Sequence, residues 1–254
     1  MNIKRGVVYF ITNMDANTSN DFYQYGLESG TDKISHHGYH FIYPKYISQY
    51  KNSPNGAMIE IGIERKCSLQ LWKKYFPSAF IYGIDINISD EGEQYKIFKA
   101  DQSDVTQLNN VNNEIDRPVF FVIDDGSHIP EHQILTFNVF FETLLPGGTY
   151  IIEDIETSYW TKGGLYGYNT NYGYRDSKTI VAFFKLLVDD VNSEFLTNEN
   201  KGIQTSLVSD KISDSNRKNI STITFTHNCI IITKKTKEEA DFYGDREYRF
   251  KDKL

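Results

Sequence analysis

A doubly wound α/β fold is predicted by three observations. Apolar runs of strand length alternate with helical periodicity from residue 57 onward. Those runs are apolar throughout, as parallel strands covered on both faces are. Several end in a burst of polar residues, the clearest being Val119-Phe120-Phe121-Val122-Ile123 followed by Asp124-Asp125-Gly126-Ser127-His128. Ligand sites of open α/β sheets lie at such carboxyl ends.

The elements follow in order. Gly6 to Ile11 could add a strand, and Asp15 to Asn20 reads as loop. Residues 21–50 carry two helical pieces, marked by Phe22, Tyr25 and Leu27 and then by Phe41, Ile42, Tyr46, Ile47 and Tyr50. Between them the polar segment Gly30 to Tyr39 is either a cap over a site or a surface connection. Ala57 to Ile63 is the first strand, and Ser68 to Phe76 a helix with a serine cap. Strands over Ala79 to Ile84 and Tyr95 to Ala100 end on Asp85 and on Asp101-Gln102. A weak helix over Val105 to Val111 leads to the strand at Val119. Pro130 opens a helix whose apolar face is Ile134, Phe137, Phe141 and Leu144. Pro146-Gly147-Gly148 stops it before the strand ending in Ile152-Glu153-Asp154. Thr157 to Asp176 reads as a long irregular loop rich in Gly and Tyr, and Ser177 to Leu196 as one helix. Ser221 to Phe225 and Cys229 to Thr233 form a final antiparallel hairpin, before a charged tail from Lys234 that is a short helix or disordered. The expected division is a helical extension or cap over 1–56, one α/β domain over 57–234 and a tail over 235–254.

Bulk properties narrow the function. A net charge of -7 with dispersed lysines and arginines argues against a nucleic-acid backbone as main partner. No apolar run approaches a membrane span, and the N-terminus does not read as a signal peptide. Cys67 and Cys229 have neither disulfide-framework nor metal-ligand spacing, so the expected setting is a reducing cytoplasm.

The candidate residues sit at the strand ends. Gly62 allows close approach to the backbone, and Asp85, 23 residues later, has the placement of a ribose-binding carboxylate. The full dinucleotide fingerprint is absent, because Glu64, Arg65, Lys66 and Cys67 fill the turn; this argues against NAD and leaves a nucleoside without phosphates. Asp101-Gln102 could receive an adenine amino group or simply form a turn or cap. Asp125 with Glu153 and Asp154 would supply hard oxygen ligands for Mg²⁺, and His128 could accept a proton at neutral pH. The plain alternative is that Asp125 and Ser127 cap a helix and His128 lies on the surface. His36, His37, His40, His132 and His227 are read as structural or solvated.

At these residues the chain resembles the class I S-adenosylmethionine-dependent methyltransferases, and more narrowly the metal-dependent sugar O-methyltransferases of the macrocin and mycinamicin type. The likeness runs from about Phe22 to Trp160. It rests on Gly30-Thr31-Asp32-Lys33 with His37 and Tyr39, on Glu60-Ile61-Gly62, Tyr82-Gly83-Ile84-Asp85 and Asp101-Gln102-Ser103-Asp104. It continues through Ile123-Asp124-Asp125-Gly126-Ser127-His128, Pro146-Gly147-Gly148, Ile152-Glu153-Asp154 and Thr157-Ser158-Tyr159-Trp160. The departure is Lys66-Cys67, where a glycine pair is expected.

The resemblance implies a Rossmann-like methyltransferase fold, with a mostly parallel seven-stranded sheet ending in an antiparallel hairpin. It implies S-adenosyl-L-methionine and Mg²⁺ as cofactors and a sugar or glycoside as acceptor. Glu60 and Gly62 would line the methionine end, Asp85 the ribose, and Asp101 with Gln102 the adenine. Thr31 and Lys33 fall on the cofactor side, and Asp124 on the cofactor side or in the fold. Asp125 and Asp154, with Glu153, would hold the metal, and His128 would be the general base. Tyr39, Tyr159 and Trp160, with the loop through Tyr174, are the candidates for the acceptor wall and lid. The competing expectations are methylation of another small-molecule hydroxyl and a non-catalytic nucleoside-binding domain. A homo-oligomer is left open.

Overall fold

Strands that are apolar on every residue must be covered on both faces, and the computed structural model builds the sheet that way. It describes residues 16–160, 163–165, 168–170 and 172–244. Helices α1 (Ala16–Ser29), α2 (Asp32–Ser35) and α3 (Pro44–Ile47) precede β1 (Ala57–Ile61). Then come α4 (Cys67–Tyr75), β2 (Phe80–Asp85), β3 (Asp90–Gly92), β4 (Tyr95–Lys99), α5 (Val105–Glu114) and β5 (Val119–Asp124). Next are α6 (Pro130–Thr143), β6 (Leu144–Glu153), β7 (Gly163–Leu165) and β8 (Tyr168–Thr170). The chain continues through α7 (Ile180–Leu186), α8 (Val188–Val191), α9 (Asn198–Val208) and α10 (Asp214–Lys218) to β9 (Ile220–Thr226), β10 (Cys229–Lys234) and α11 (Lys237–Gly244).

The main sheet has the order β3-β4-β2-β1-β5-β6-β10-β9. Pairs β1–β2, β1–β5, β2–β4 and β5–β6 are parallel, whereas β10 runs antiparallel to β6 and β9, and β3 antiparallel to β4. This is the expected doubly wound Rossmann-like sheet. It has eight strands where seven are expected, the extra one being the three-residue edge β3. A polar edge strand that short leaves no apolar run to read. Chain order reverses between β1 and β5, and their registers align Ile61 with both Ile84 and Asp124, so the strand ends meet at the switch point.

Two cores flank the sheet. Ala57, Ile59 and Ile61 point into one, together with Phe137, Phe140 and Phe184; Met58 points into the other, with Trp72, Phe76 and Phe121. Phe22, Tyr39, Tyr43 and Ile47 from the N-terminal segment belong to this second core. Phe22 is fully buried, its ring 5.8 Å from Trp72 and 5.0 Å from Tyr75. The described residues before β1 are therefore joined to the sheet through its second core.

Other expectations are corrected. Residues 16–20 are helical rather than loop. The 157–176 segment contains the β7–β8 hairpin. Residues 177–196 hold α7, α8 and a 3-10 turn over Ser193–Phe195 in place of one helix, and α9 and α10 follow unforeseen. The tail begins with α11. The strand read at Gly6 to Ile11 lies outside the described residues. No helix of the described residues is long and apolar enough to cross a membrane.

Candidate metal and nucleoside site

The ends of β1 and β5 touch through a missing side chain. Gly62 has φ +87°, and a Cβ there would lie 1.9 Å from the Asp125 carbonyl oxygen. The Asp125 N–H donates to the Ile61 carbonyl at 2.9 Å. The glycine thus serves the crossing of two strand ends, a stricter need than the ligand approach expected of it. Beside it opens a cavity of about 640 Å³. Thr31 and Lys33 border it from α2, Gly62, Asp85, Asp101 and Gln102 from the next strand ends, and Asp125, His128 and Asp154 from the far side.

The turn after Gly62 keeps a glycine-like backbone without glycines: Glu64 and Lys66 have φ of 45° and 63°. No side chain caps α4; Ser68, expected as its cap, donates instead to Glu60 Oε2 at 2.8 Å. Asp85 fastens the same turn. Its Oδ2 accepts the N–H groups of Ile63 and Glu64 at 3.1 and 3.0 Å, and its Oδ1 those of Asn87 and Ile88 at 2.8 and 3.2 Å. Burial pushes this carboxyl up, but the four amides outweigh it and hold the pKa below its usual value.

Three residues expected on the nucleoside side serve the frame instead. Asp124 is fully buried and accepts both 2.7 and 2.9 Å contacts from Gln102 Nε2, plus the Thr136 hydroxyl. Burial raises its pKa to about 6 against those donors. The Gln102 amide is engaged at both ends, since its Oε1 accepts the Ser127 N–H at 2.8 Å. Asp101 Oδ1 accepts the Ser103 N–H and hydroxyl at 2.8 and 2.7 Å, which is the turn-forming alternative. Asp101 and Gln102 still border the cavity, whereas Asp124 lies behind it.

The acidic centre gathers carboxylates from three strand ends around one ammonium. Lys33 is 1% exposed; its Nζ donates to Asp125 Oδ2 at 2.5 Å and to Glu153 Oε1 and Oε2 at 3.0 and 2.8 Å. Glu60 Oε1 lies 3.7 Å from the same nitrogen. Burial disfavours this ammonium, but Asp125, Glu153 and Glu60 outweigh burial and keep it charged. Lys33 therefore faces the carboxylates, in contrast to the cofactor contact expected of it. Glu153 also accepts the Tyr43 hydroxyl at 2.5 Å, and burial followed by Asp125 pushes its pKa up. Glu60 is fully buried, and its pKa rises to about 7 because burial outweighs Lys33.

Asp125, His128 and Asp154 form a second focus, each offering a ligand atom within 4.8 Å of the others. His128 Nε2 lies 3.9 Å from Asp125 Oδ1 and 3.8 Å from Asp154 Oδ2. Glu153, expected in this set, is turned to Lys33 and Tyr43. His128 is 5% exposed, not a surface residue, and burial lowers its pKa against the pull of Asp125. Helix α6 starts behind Ile129 without a side-chain cap, so Asp125 is not occupied in capping it. His128 and Asp154 both have φ +54°, a left-handed backbone that costs about 1–2 kcal/mol for a residue with a Cβ. Asp154 Oδ1 accepts the Tyr39 hydroxyl at 3.1 Å and Asn228 Nδ2 at 3.0 Å, with His37 Nδ1 at 3.4 Å. Burial and then Asp125 push the Asp154 carboxyl upward.

Tyr39 is fully buried and bonded to Asp154, so it lies beneath the site and cannot wall an acceptor. Tyr159 is half exposed, its ring 6.2 Å from that of Tyr174; Tyr159 and Trp160 do not border the cavity. Sequence reading missed Tyr43 and Asn228 and gave no site role to His37 or to His132, whose Nδ1 pairs with Ser127 Oγ at 2.9 Å. No local pattern marks them. Only the Tyr39-to-Tyr43 spacing, one turn apart with stacked rings 4.8 Å apart, could have hinted at a shared face.

Four acids, Glu60, Asp125, Glu153 and Asp154, gather here, three of them around Lys33, and burial first, with Asp125 adding to it, raises the pKa values of Glu60, Glu153 and Asp154. Hard oxygen donors with uncompensated charge fit a divalent cation such as Mg²⁺.

A doubly wound sheet with a cavity at its switch point and acids just after β5 and β6 gives a Rossmann-like fold, and its superposition on MycE methyltransferase makes it a class I methyltransferase fold. The particular likeness is to sugar O-methyltransferases of the tetracenomycin, macrocin and mycinamicin type. The chain is 34% identical to 8-demethyl-8-alpha-L-rhamnosyl tetracenomycin-C 2'-O-methyltransferase of Streptomyces olivaceus, over 65% of this chain and 44% of that one. It is 33% identical to demethylmacrocin O-methyltransferase of Streptomyces fradiae, over 62% of this chain and 40% of that one. It is 31% identical to mycinamicin VI 2''-O-methyltransferase of Micromonospora griseorubida, over 63% and 42%. Among solved structures, MycE methyltransferase in complex with Mg, SAH and mycinamycin VI superposes with a TM-score of 0.69 at 25% identity, over 86% of this chain and 56% of that one. The chain spans less than half the length of these curated relatives in the matched region. No family model matches the sequence.

Proposed function

We propose that this chain carries out Mg²⁺-assisted methyl transfer from S-adenosyl-L-methionine to a hydroxyl of a sugar or glycosylated small molecule. The observation that supports this reading is the convergence of Asp125, His128 and Asp154 within 4.8 Å at the edge of a cavity bordered by Gly62 and Asp85. The named activities of the tetracenomycin, macrocin and mycinamicin relatives favour a glycosidic acceptor.

When bound, S-adenosylmethionine supplies an electrophilic methyl with a neutral thioether leaving group, and Mg²⁺ supplies Lewis acidity. Asp125 and Asp154 would hold the cation, with Glu153 behind them tied to Lys33 and Tyr43. Asp85 and the turn after Gly62 seat the nucleoside. His128 would accept the proton of the acceptor hydroxyl that takes the methyl group. Its burial keeps the imidazole neutral and able to accept that proton. Oxygen ligands suit Mg²⁺ better than an imidazole, so His128 is assigned the proton and the two aspartates the cation. Tyr39 and Asn228 fix the Asp154 carboxylate, so alignment is built in before the acceptor arrives. The exposed pair Tyr159 and Tyr174 offers aromatic faces to an acceptor.

The test is methyl transfer from labelled S-adenosylmethionine to a panel of glycosides and simple phenols. Transfer to glycosides that stops with EDTA and returns with Mg²⁺ is expected. Transfer to phenols alone would replace the acceptor class, and undetectable S-adenosylmethionine binding at millimolar concentration would favour a non-catalytic domain.

A further inference from the structure

Lys33 shares a carboxylate with the metal focus. Asp125 turns Oδ2 to the Lys33 ammonium at 2.5 Å and Oδ1 toward His128 at 3.9 Å, on the side of Asp154. The ammonium also holds Glu153 and faces Glu60, and it is 1% exposed. A lysine this buried costs several kcal/mol unless paired, and here its partners are the acids that would otherwise repel one another. It arrives from α2, so the N-terminal segment delivers the charge into the sheet's carboxyl edge.

We infer that Lys33 is a positioning residue and a built-in counter-cation: it holds the acidic centre together without metal and limits how tightly the centre holds a divalent cation. Two cations that share one carboxylate at close range repel across a poorly screened interior. The inference rests on the metal reading above. It adds that metal affinity is restrained by a residue that is not itself a ligand.

The experiment measures Mn²⁺ affinity by electron paramagnetic resonance, and thermal unfolding with and without Mg²⁺, for wild type, Lys33→Met and Lys33→Arg in the absence of cofactor. Lys33→Met keeps the unbranched stem and removes the ammonium. It should bind Mn²⁺ at least about tenfold more tightly, equivalent to 1.4 kcal/mol. Its metal-free Tm should fall, and Mg²⁺ should raise its Tm more than that of wild type. Lys33→Arg should stay near the wild-type affinity. A purely structural lysine predicts the opposite, weaker binding in Lys33→Met through a distorted site, and that result overturns the inference. If Lys33→Met is unfolded without metal, Mg²⁺ must restore its transition; failure to do so overturns it as well. A wild-type protein that binds no Mn²⁺ removes the metal reading itself, whereas wild-type binding with no tightening in Lys33→Met removes the inference alone.

Discussion

At the scale of single residues, the site depends on side chains whose freedom the strand ends have already removed. Asp154 is held in a left-handed backbone with Tyr39 and Asn228 on one oxygen, leaving the other toward His128. Asp154→Asn keeps the shape and removes the charge. It should lower metal-dependent transfer at least about 100-fold, the scale set by electrostatic groups at the reacting centre. Calorimetry should find S-adenosylhomocysteine binding largely retained, and a parallel loss of both would contradict separate roles for the two halves of the site. Gly62→Ala should destabilise by about 2 kcal/mol or more, since it adds a Cβ against the Asp125 carbonyl at φ +87°. A denaturation midpoint equal to wild type would contradict the close crossing of β1 and β5. Much of this scale was legible: Asp85, Asp125, His128 and Asp154 stand where strand-end polarity places them. The Gln102–Asp124 contact was not legible, because a buried amide–carboxylate pair looks, in sequence, like two ligand contacts.

At the scale of elements, strands were easier to read than helices, for a physical reason. A parallel strand covered on both faces must be apolar, as Val119–Asp124 shows along nearly all its length. The helices after β8 obey tertiary contacts that hydrophobic period does not record. Asp190 points inward in α8 because Arg217 donates to it at 2.7 Å and Gln204 Nε2 at 2.7 Å. That polar inward residue accompanies the break in the expected single helix. Helices α9 and α10 did leave a signal, since Thr197 and Ser213 accept from Asn200 N–H and Asn216 N–H as side-chain caps. The turn into α4 gives a prediction of its own. Glu64 has φ 45° and an exposed side chain, so Glu64→Gly should leave stability unchanged or raise it by up to about 1 kcal/mol. A clear loss in urea denaturation would contradict strain at this turn.

At the scale of the whole molecule, the N-terminal segment is part of both the core and the site. Helix α1 packs Phe22 against Trp72 and Tyr75 of α4, while the residues after it deliver Lys33, His37, Tyr39 and Tyr43 to the acidic edge. An extension expected to cap the domain thus shares its second core. Sequence could not show this, because the partners lie about 50 to 190 residues away in the chain. Phe22→Ala should cost about 3–5 kcal/mol by opening a cavity in that core, and chemical denaturation should register the loss as one cooperative transition. A cost under about 1 kcal/mol would mean the segment is only loosely attached.

Dependence of methyl transfer on a divalent cation held by the paired acids after β5 and β6 is read out by assaying labelled S-adenosylmethionine with a glycoside panel in Mg²⁺ and in excess EDTA. Transfer to at least one glycoside that chelation abolishes and added Mg²⁺ restores is expected; full transfer in EDTA would rule out a metal role for Asp125 and Asp154.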